Sequence, residues 1–191
     1  MPRGISIDKI FKPLAKNGTQ SFLGKGVHTL GLLAWILKQT GKADIYLSTF
    51  STSDAFLRGF YNLRKKGQID HAVMLADLKA SKKTVKLYKE MQSCFDYVYL
   101  TTNHSKVVLI QNDSHLVTVI SSQNQTYGDR AECTLVTTNP EIFLQQFSGF
   151  KEMVDEKSIQ LNDLFNGLTD ADQRIGGEAY DHIGDFRPFG Y

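Results

Sequence analysis

Five polar side chains fall within 29 residues of otherwise strand-like sequence: His104, Lys106, Ser122, Asn124 and Glu132. An imidazole, an ammonium, a hydroxyl, a carboxamide and a carboxylate are the groups needed to hold a phosphodiester and attack it without a metal. The imidazole changes charge near neutral pH, so it can serve as nucleophile or proton carrier. The ammonium, hydroxyl and amide are donors for oxygens on which negative charge develops. The flanking runs say how these groups meet. Lys106-Val107-Val108-Leu109-Ile110 and Leu116-Val117-Thr118-Val119-Ile120 are short, β-branched and apolar, with Gln111-Asn112-Asp113-Ser114 as turn residues between them. Alternation along a strand puts His104 and Lys106 on one face and Ser105 on the other. Paired as a hairpin, the Ser/Asn end of the second run lies beside the His/Lys end of the first.

The rest of the chain alternates between helical and extended patterns. Residues 27–40 read as a helix, with Leu30, Leu33, Ala34 and Leu37 on one face and Gly41 just past its end. Residues 43–50 read as a strand, and Ser51-Thr52-Ser53-Asp54 then starts a helix over 55–66 that Gly67 stops. Strands are expected over 69–76, 97–101 and 131–137. A basic helix is expected over 81–93, and another opens at Pro140 and runs to about residue 154. This order predicts an α/β fold: a mixed, largely parallel sheet with helices on both faces. Residues 1–20 are expected to be a lead-in segment, 21–157 the domain that carries the site, and 158–191 a C-terminal extension rich in Gly and Asp.

Composition narrows the function classes. With 191 residues, 41% hydrophobic and 22% charged, the chain has the values of one globular domain. Cys94 and Cys133 give no disulfide framework and suit a reducing compartment. The best apolar stretch, residues 30–37, is far too short to span a bilayer, and the N-terminus lacks a secretion signal. A cytoplasmic protein without membrane partners is the expectation. Net charge is only +2, but residues 58–89 hold nine Lys or Arg against Asp70 and Asp77, while 152–191 hold nine acids. The basic middle suits a polyanion, and equally a solvated helix face. No H-E-x-x-H, paired C-x-x-C or phosphate-loop pattern is present, so no metal and no cofactor are expected.

These residues resemble the phospholipase D superfamily, whose motif is H-x-K, a strand, then G-S-x-N and a downstream carboxylate. Here it reads His104-Ser105-Lys106, Ser121-Ser122-Gln123-Asn124, and then Asn124 through Arg130 to Glu132. Two positions depart from it: Gln111 stands for the usual Asp, with Asp113 close by, and Ser121 stands for the Gly. The resemblance implies a phospholipase D-like sandwich and a phosphohistidine formed on His104. It implies that Glu132 fixes the His104 ring through its far nitrogen, and that Lys106, Ser122 and Asn124 hold the phosphate oxygens. Ser121, Asp113 and Arg130 are secondary candidates. Family members use two copies of the motif, and none of His28, His71, His115 or His182 repeats the pattern. A homodimer with one His104 from each subunit at the two-fold axis is therefore expected. The expected substrate is nucleic acid, DNA or RNA. The alternatives are a weak or inactive nucleic-acid-binding module and, third, a hydrolase or transferase acting on phospholipid or other phosphodiesters.

Overall fold

The computed structural model describes residues 6–80, 87–126 and 130–164. Its regular elements, in chain order, are β1 (Thr19–Gly24), α1 (Thr29–Thr40), β2 (Ala43–Thr49), α2 (Asp54–Lys65), β3 (Ile69–Asp77) and α3 (Tyr88–Cys94). There follow β4 (Tyr97–Thr101), β5 (Val107–Asn112), β6 (His115–Ser121), β7 (Glu132–Thr137), α4 (Pro140–Lys157) and the short β8 (Ile159–Gln160). The strands form one sheet in the order β1-β7-β6-β5-β2-β3-β4-β8.

The sheet is mixed and helix-covered, but it is not largely parallel. Only β2–β3 and β3–β4 pair in parallel, and the other five pairings are antiparallel. Connection length explains the difference. α2 and the segment with α3 supply the crossovers that parallel neighbours need, whereas Asp113-Ser114 alone turns β5 into β6. The turn is thus two residues shorter than the polar run 111–114 suggested, and Gln111 stays in the ladder opposite Leu116.

Both faces of the central strands are buried, which is why β3 reads as an almost unbroken apolar run. Ile45, Leu47, Ala72, Met74, Ala76, Val108 and Ile110 pack into one cluster with α1, α2 and α3. Val73, Leu75 and Leu109 turn the other way, against Phe143 and Phe150 of α4. Local signals set the helix starts. Ser53 Oγ accepts the Phe56 amide at 3.3 Å, and Asn139 Oδ1 accepts the amides of Glu141 (2.8 Å) and Ile142 (3.3 Å) ahead of Pro140. Gly59 lets α1 approach α2, because a Cβ there would lie 2.0 Å from Leu30 Cδ2.

The ends of the described chain also join the core. Phe11 and Leu14, in the segment read as a lead-in, are buried in the first cluster, and Trp35 beside them donates its Nε1–H to Asp8 at 2.8 Å. β8 adds to β4, and Leu161 is buried. Of the basic helix expected over 81–93, residues 88–93 lie in α3, while 81–86 fall outside the described residues, as does 165–191 of the extension. No helix among the described residues is long and apolar enough to cross a membrane.

One carboxylate ties three elements together. Asp96 accepts from Arg64 of α2 and from the Ala72 amide of β3 at 2.8 Å, and pairs with His71 Nδ1 at 3.0 Å, while Arg64 also donates to the Cys94 carbonyl that ends α3. Burial pushes the Asp96 carboxyl up, but the bonds from Arg64 and Ala72 and the charges of Arg64 and His71 outweigh it, so the net shift is downward. A carboxyl held low in the folded state adds stability above its unfolded value and loses it as pH falls through the folded one. Asp96→Asn should therefore cost about 1–3 kcal/mol at neutral pH. Urea midpoints at pH 7 and near pH 3 check this: the gap from wild type should narrow in acid.

Candidate active site

The site is built at one end of the sheet, where β2 and β6 finish and β5 and β7 begin. The register sets it. The Ser121 amide donates to the Lys106 carbonyl (2.9 Å) and the Ser122 amide to the Cys133 carbonyl (3.0 Å), so the flanks of three strands lie side by side. His104, Lys106, Ser122, Asn124, Arg130 and Glu132 all line one cleft of about 410 Å³. The five residues picked out by type and spacing are brought together, and Arg130 with them. Two others are not. Asp113 lies in the β5–β6 turn at the far end of the hairpin. Ser121 sits behind the cleft, its Oγ accepting the Gln123 amide (3.1 Å) and lying 3.1 Å from Thr134 Oγ1.

Within the cleft, Lys106 rests on His104. Its Nζ donates to the His104 carbonyl at 2.6 Å and lies 3.1 Å from ring Nδ1. Burial lowers the Lys106 ammonium below its ordinary value, and the negative charge of Glu132 works against that shift. Glu132 itself departs from expectation. It accepts from the Ser122 hydroxyl rather than from the His104 ring. The reason is local: Ser122 Oγ also accepts the Cys133 amide at 3.0 Å, which holds it beside Glu132, while the ring is flanked by Lys106 and Phe50. Asn124 is half-buried, and its Oδ1 is enclosed without a hydrogen-bond partner.

The side chains that hold His104 were not singled out by the sequence reading. Phe50, just past β2, packs its ring 5.0 Å from the imidazole and 6.0 Å from Lys106 Nζ. Asn103 is 4% exposed and fully engaged. Its amide NH₂ donates to Ser48 Oγ (2.8 Å) and the Leu75 carbonyl (3.1 Å), and its Oδ1 accepts the Ser105 amide (2.9 Å) and hydroxyl (2.7 Å). Its own amide donates to buried Asp77 at 2.7 Å. The residues before and after His104 are thus fixed to β2 and β3, and Ser105 faces inward while His104 and Lys106 face the cleft, as alternation requires. The only available signal was Asn103 directly preceding H-x-K; its partners lie up to 55 residues away. Among the described residues no three His, Cys, Asp or Glu side chains group as a metal site.

No family model matches this sequence, and no curated protein matches it. Solved structures do. Nuc, a phospholipase D family member from Salmonella typhimurium, superposes with a TM-score of 0.55 over 73% of this chain and 96% of its own, at 15% identity. The fold is phospholipase D-like. Phosphatidylserine synthase of Haemophilus influenzae Rd KW20 matches at 0.52, with 14% identity, over 86% of this chain and 50% of its own. TrmBL2, an archaeal chromatin protein with a novel mode of DNA binding, matches at 0.51, with 8% identity, over 79% and 60%. A phospholipase D fold thus carries proteins of differing name and role, so the fold alone does not choose a substrate.

Two measurements test the local account. Glu132→Gln removes the charge that holds the Lys106 ammonium up, so an NMR titration of Lys106 Nζ should show a lower pKa than in wild type; an unchanged value would separate the two residues. Asn103→Ala keeps the backbone bond to Asp77 but removes the side-chain partner of Ser48, Ser105 and the Leu75 carbonyl, and should cost about 1–3 kcal/mol in chemical denaturation.

Proposed function

We propose that this protein is a metal-independent phosphodiesterase acting on nucleic acid, a nuclease that works through a phosphohistidine on His104. The observation that carries this is the convergence of His104, Lys106, Ser122, Asn124 and Glu132 on a single cleft. In the first step the unprotonated ring nitrogen of His104 attacks phosphorus; the P–N bond forms as the P–O bond to the leaving oxygen breaks. In the second, water attacks phosphorus, the P–N bond breaks, and the ring is restored. Covalent catalysis of this kind divides one hard displacement into two easier ones.

Lys106 and Asn124 hold the non-bridging oxygens. An entering phosphate exchanges for the ring and carbonyl contacts that Lys106 makes in the free chain. Ser122, bonded to Glu132, acts here by holding that carboxylate at the cleft wall, with its charge toward Lys106. The leaving oxygen needs a proton, and His104 is the one histidine among the described residues lining the cleft. A homodimer supplies the second: its partner His104 donates to the leaving oxygen, then takes a proton from the attacking water, which closes the cycle. Nucleic acid is favoured as substrate by the cations of residues 58–89, of which Lys65, Lys66, Lys79 and Lys89 are exposed. The DNA binding named for TrmBL2 points the same way.

A second reading is a nucleic-acid-binding module with little or no turnover. The observation behind it is that Glu132 bonds Ser122 and not the His104 ring. Nuclease assays in EDTA separate the two. Cleavage should persist with chelator, vanish in His104→Ala and fall about 10²–10³-fold in Lys106→Ala. Salt-sensitive binding without cleavage would select the module. Mixed dimers of wild-type and His104→Ala chains should lose activity at every mixed site, and full activity per wild-type chain would defeat the shared site.

A further inference from the structure

Beside the cleft lies a second concavity that the chemistry above does not use. It is an open recess of about 140 Å³ between the starts of α1 and α2. Gln123, Asn124 and Thr126 line both the cleft and the recess, so the two adjoin across one short segment. Leu30, Ala55 and Phe56 supply its apolar wall, and His28, Thr29 and Ser53 complete the lining from the α1 and α2 side. An apolar cavity of about 150 Å³ accepts a benzene ring, so a single heterocycle fits here and a base pair does not. One wall carries an unused polar group. Gln125 lines the recess, is 6% exposed, and its Oε1 has no hydrogen-bond partner. An orphaned buried acceptor is costly unless a ligand or water satisfies it. Its backbone is anchored: the amide donates to the Ser51 carbonyl (3.2 Å) and the carbonyl accepts the Ser53 hydroxyl (2.8 Å).

We propose that this recess receives one unpaired nucleobase of the substrate, the base carried by the nucleotide next to the phosphate held at His104. The inference rests on reading the cleft as a phosphodiester site, and it adds what that reading lacks, a contact to something other than the backbone. A nucleobase meets each feature: a flat ring for the Leu30 and Phe56 wall, and ring N–H or amino groups for the amide and hydroxyl side chains of Gln123, Gln125 and Thr126 that line it. A base paired in a duplex cannot enter, so the nucleotide at the site must be single-stranded or flipped out.

The experiment is a double-mutant cycle between protein and strand. Ala55 is exposed on the first turn of α2, so Ala55→Trp fills the recess without entering the core. Binding by fluorescence anisotropy and cleavage are measured on two single-stranded oligonucleotides, one with all its bases and one with abasic residues throughout the footprint. Wild type should bind and cleave the base-bearing strand roughly tenfold better than the abasic strand. Ala55→Trp should erase that preference while treating the abasic strand as wild type does, and Gln125→Leu should reduce it. Equal handling of both strands by wild type overturns the proposal, as does an Ala55→Trp loss that is the same on both. If Ala55→Trp instead changes the oligomeric mass and slows both strands alike, the recess belongs to an interface and the proposal fails. Should no strand be cleaved, the nuclease reading fails by itself, and the base preference is still decided by the anisotropy arm.

Discussion

The constraint on which the rest of this structure depends is the register of three antiparallel strands, β5, β6 and β7. Val107 opposes Ile120 and Ser121 opposes Thr134, and these pairings align the start of β5, the end of β6 and the start of β7. His104 and Lys106 precede the first, Ser122 and Asn124 follow the second, and Glu132 opens the third. Because side chains alternate faces, a slip of one residue would turn Glu132 to the opposite side and break the alignment of the flanks that carry the other four. The same slip would carry Val108 and Ile110 away from the helices that bury them. The core thus enforces the register that brings these side chains together, because burial of apolar area stabilises by about 25 cal/mol per Å².

Register places the strands but leaves the loop before β5 undetermined, and there a buried amide takes over. Asn103 bonds β2 through Ser48, β3 through Leu75 and Asp77, and the following turn through Ser105. Each partner is itself buried or half-buried, so breaking one bond leaves a group unsatisfied and the network holds as a unit. Such a frame suits a reacting side chain: His104 is immobilised from both neighbours in sequence while its own ring stays at the surface against Phe50.

The sequence was most legible where a single local rule decides. β-branched apolar runs marked β5 and β6, the run Ser51–Asp54 began α2, Pro140 opened α4, and Tyr97–Thr101 carried strand character from end to end. Legibility failed where the answer depends on a distant neighbour. β1 is an edge strand whose burial alternates but whose residue types do not: Gln20 and Gly24 share the inward side with Phe22, and Leu23 is exposed. β8 is two residues long and exists only because β4 offers an open edge. The proportion of parallel pairing was overestimated because helix-strand alternation in the first half was extended to a second half built from hairpins. The partner of Glu132 was unreadable for the same reason: which oxygen or nitrogen it meets is settled by the placement of Ser122 just past the end of β6, not by residue type.

Electrostatics connects this frame to what the cleft favours. An ammonium drawn below its ordinary pKa by burial is one whose charge is held at a cost, and Glu132 offsets only part of it. An anion arriving in the cleft stabilises the charged form and therefore raises that pKa again, so anion binding and protonation of Lys106 reinforce each other. Glu132 opposes the same anion by direct repulsion, which limits how tightly an anion is held there. The Ser122 hydrogen bond eases this by taking up part of the carboxylate's charge. For the proposed phosphodiesterase this balance would favour product release, because a cleft lined by uncompensated cations would bind substrate and product phosphates equally well, and uniform binding does not accelerate a chemical step.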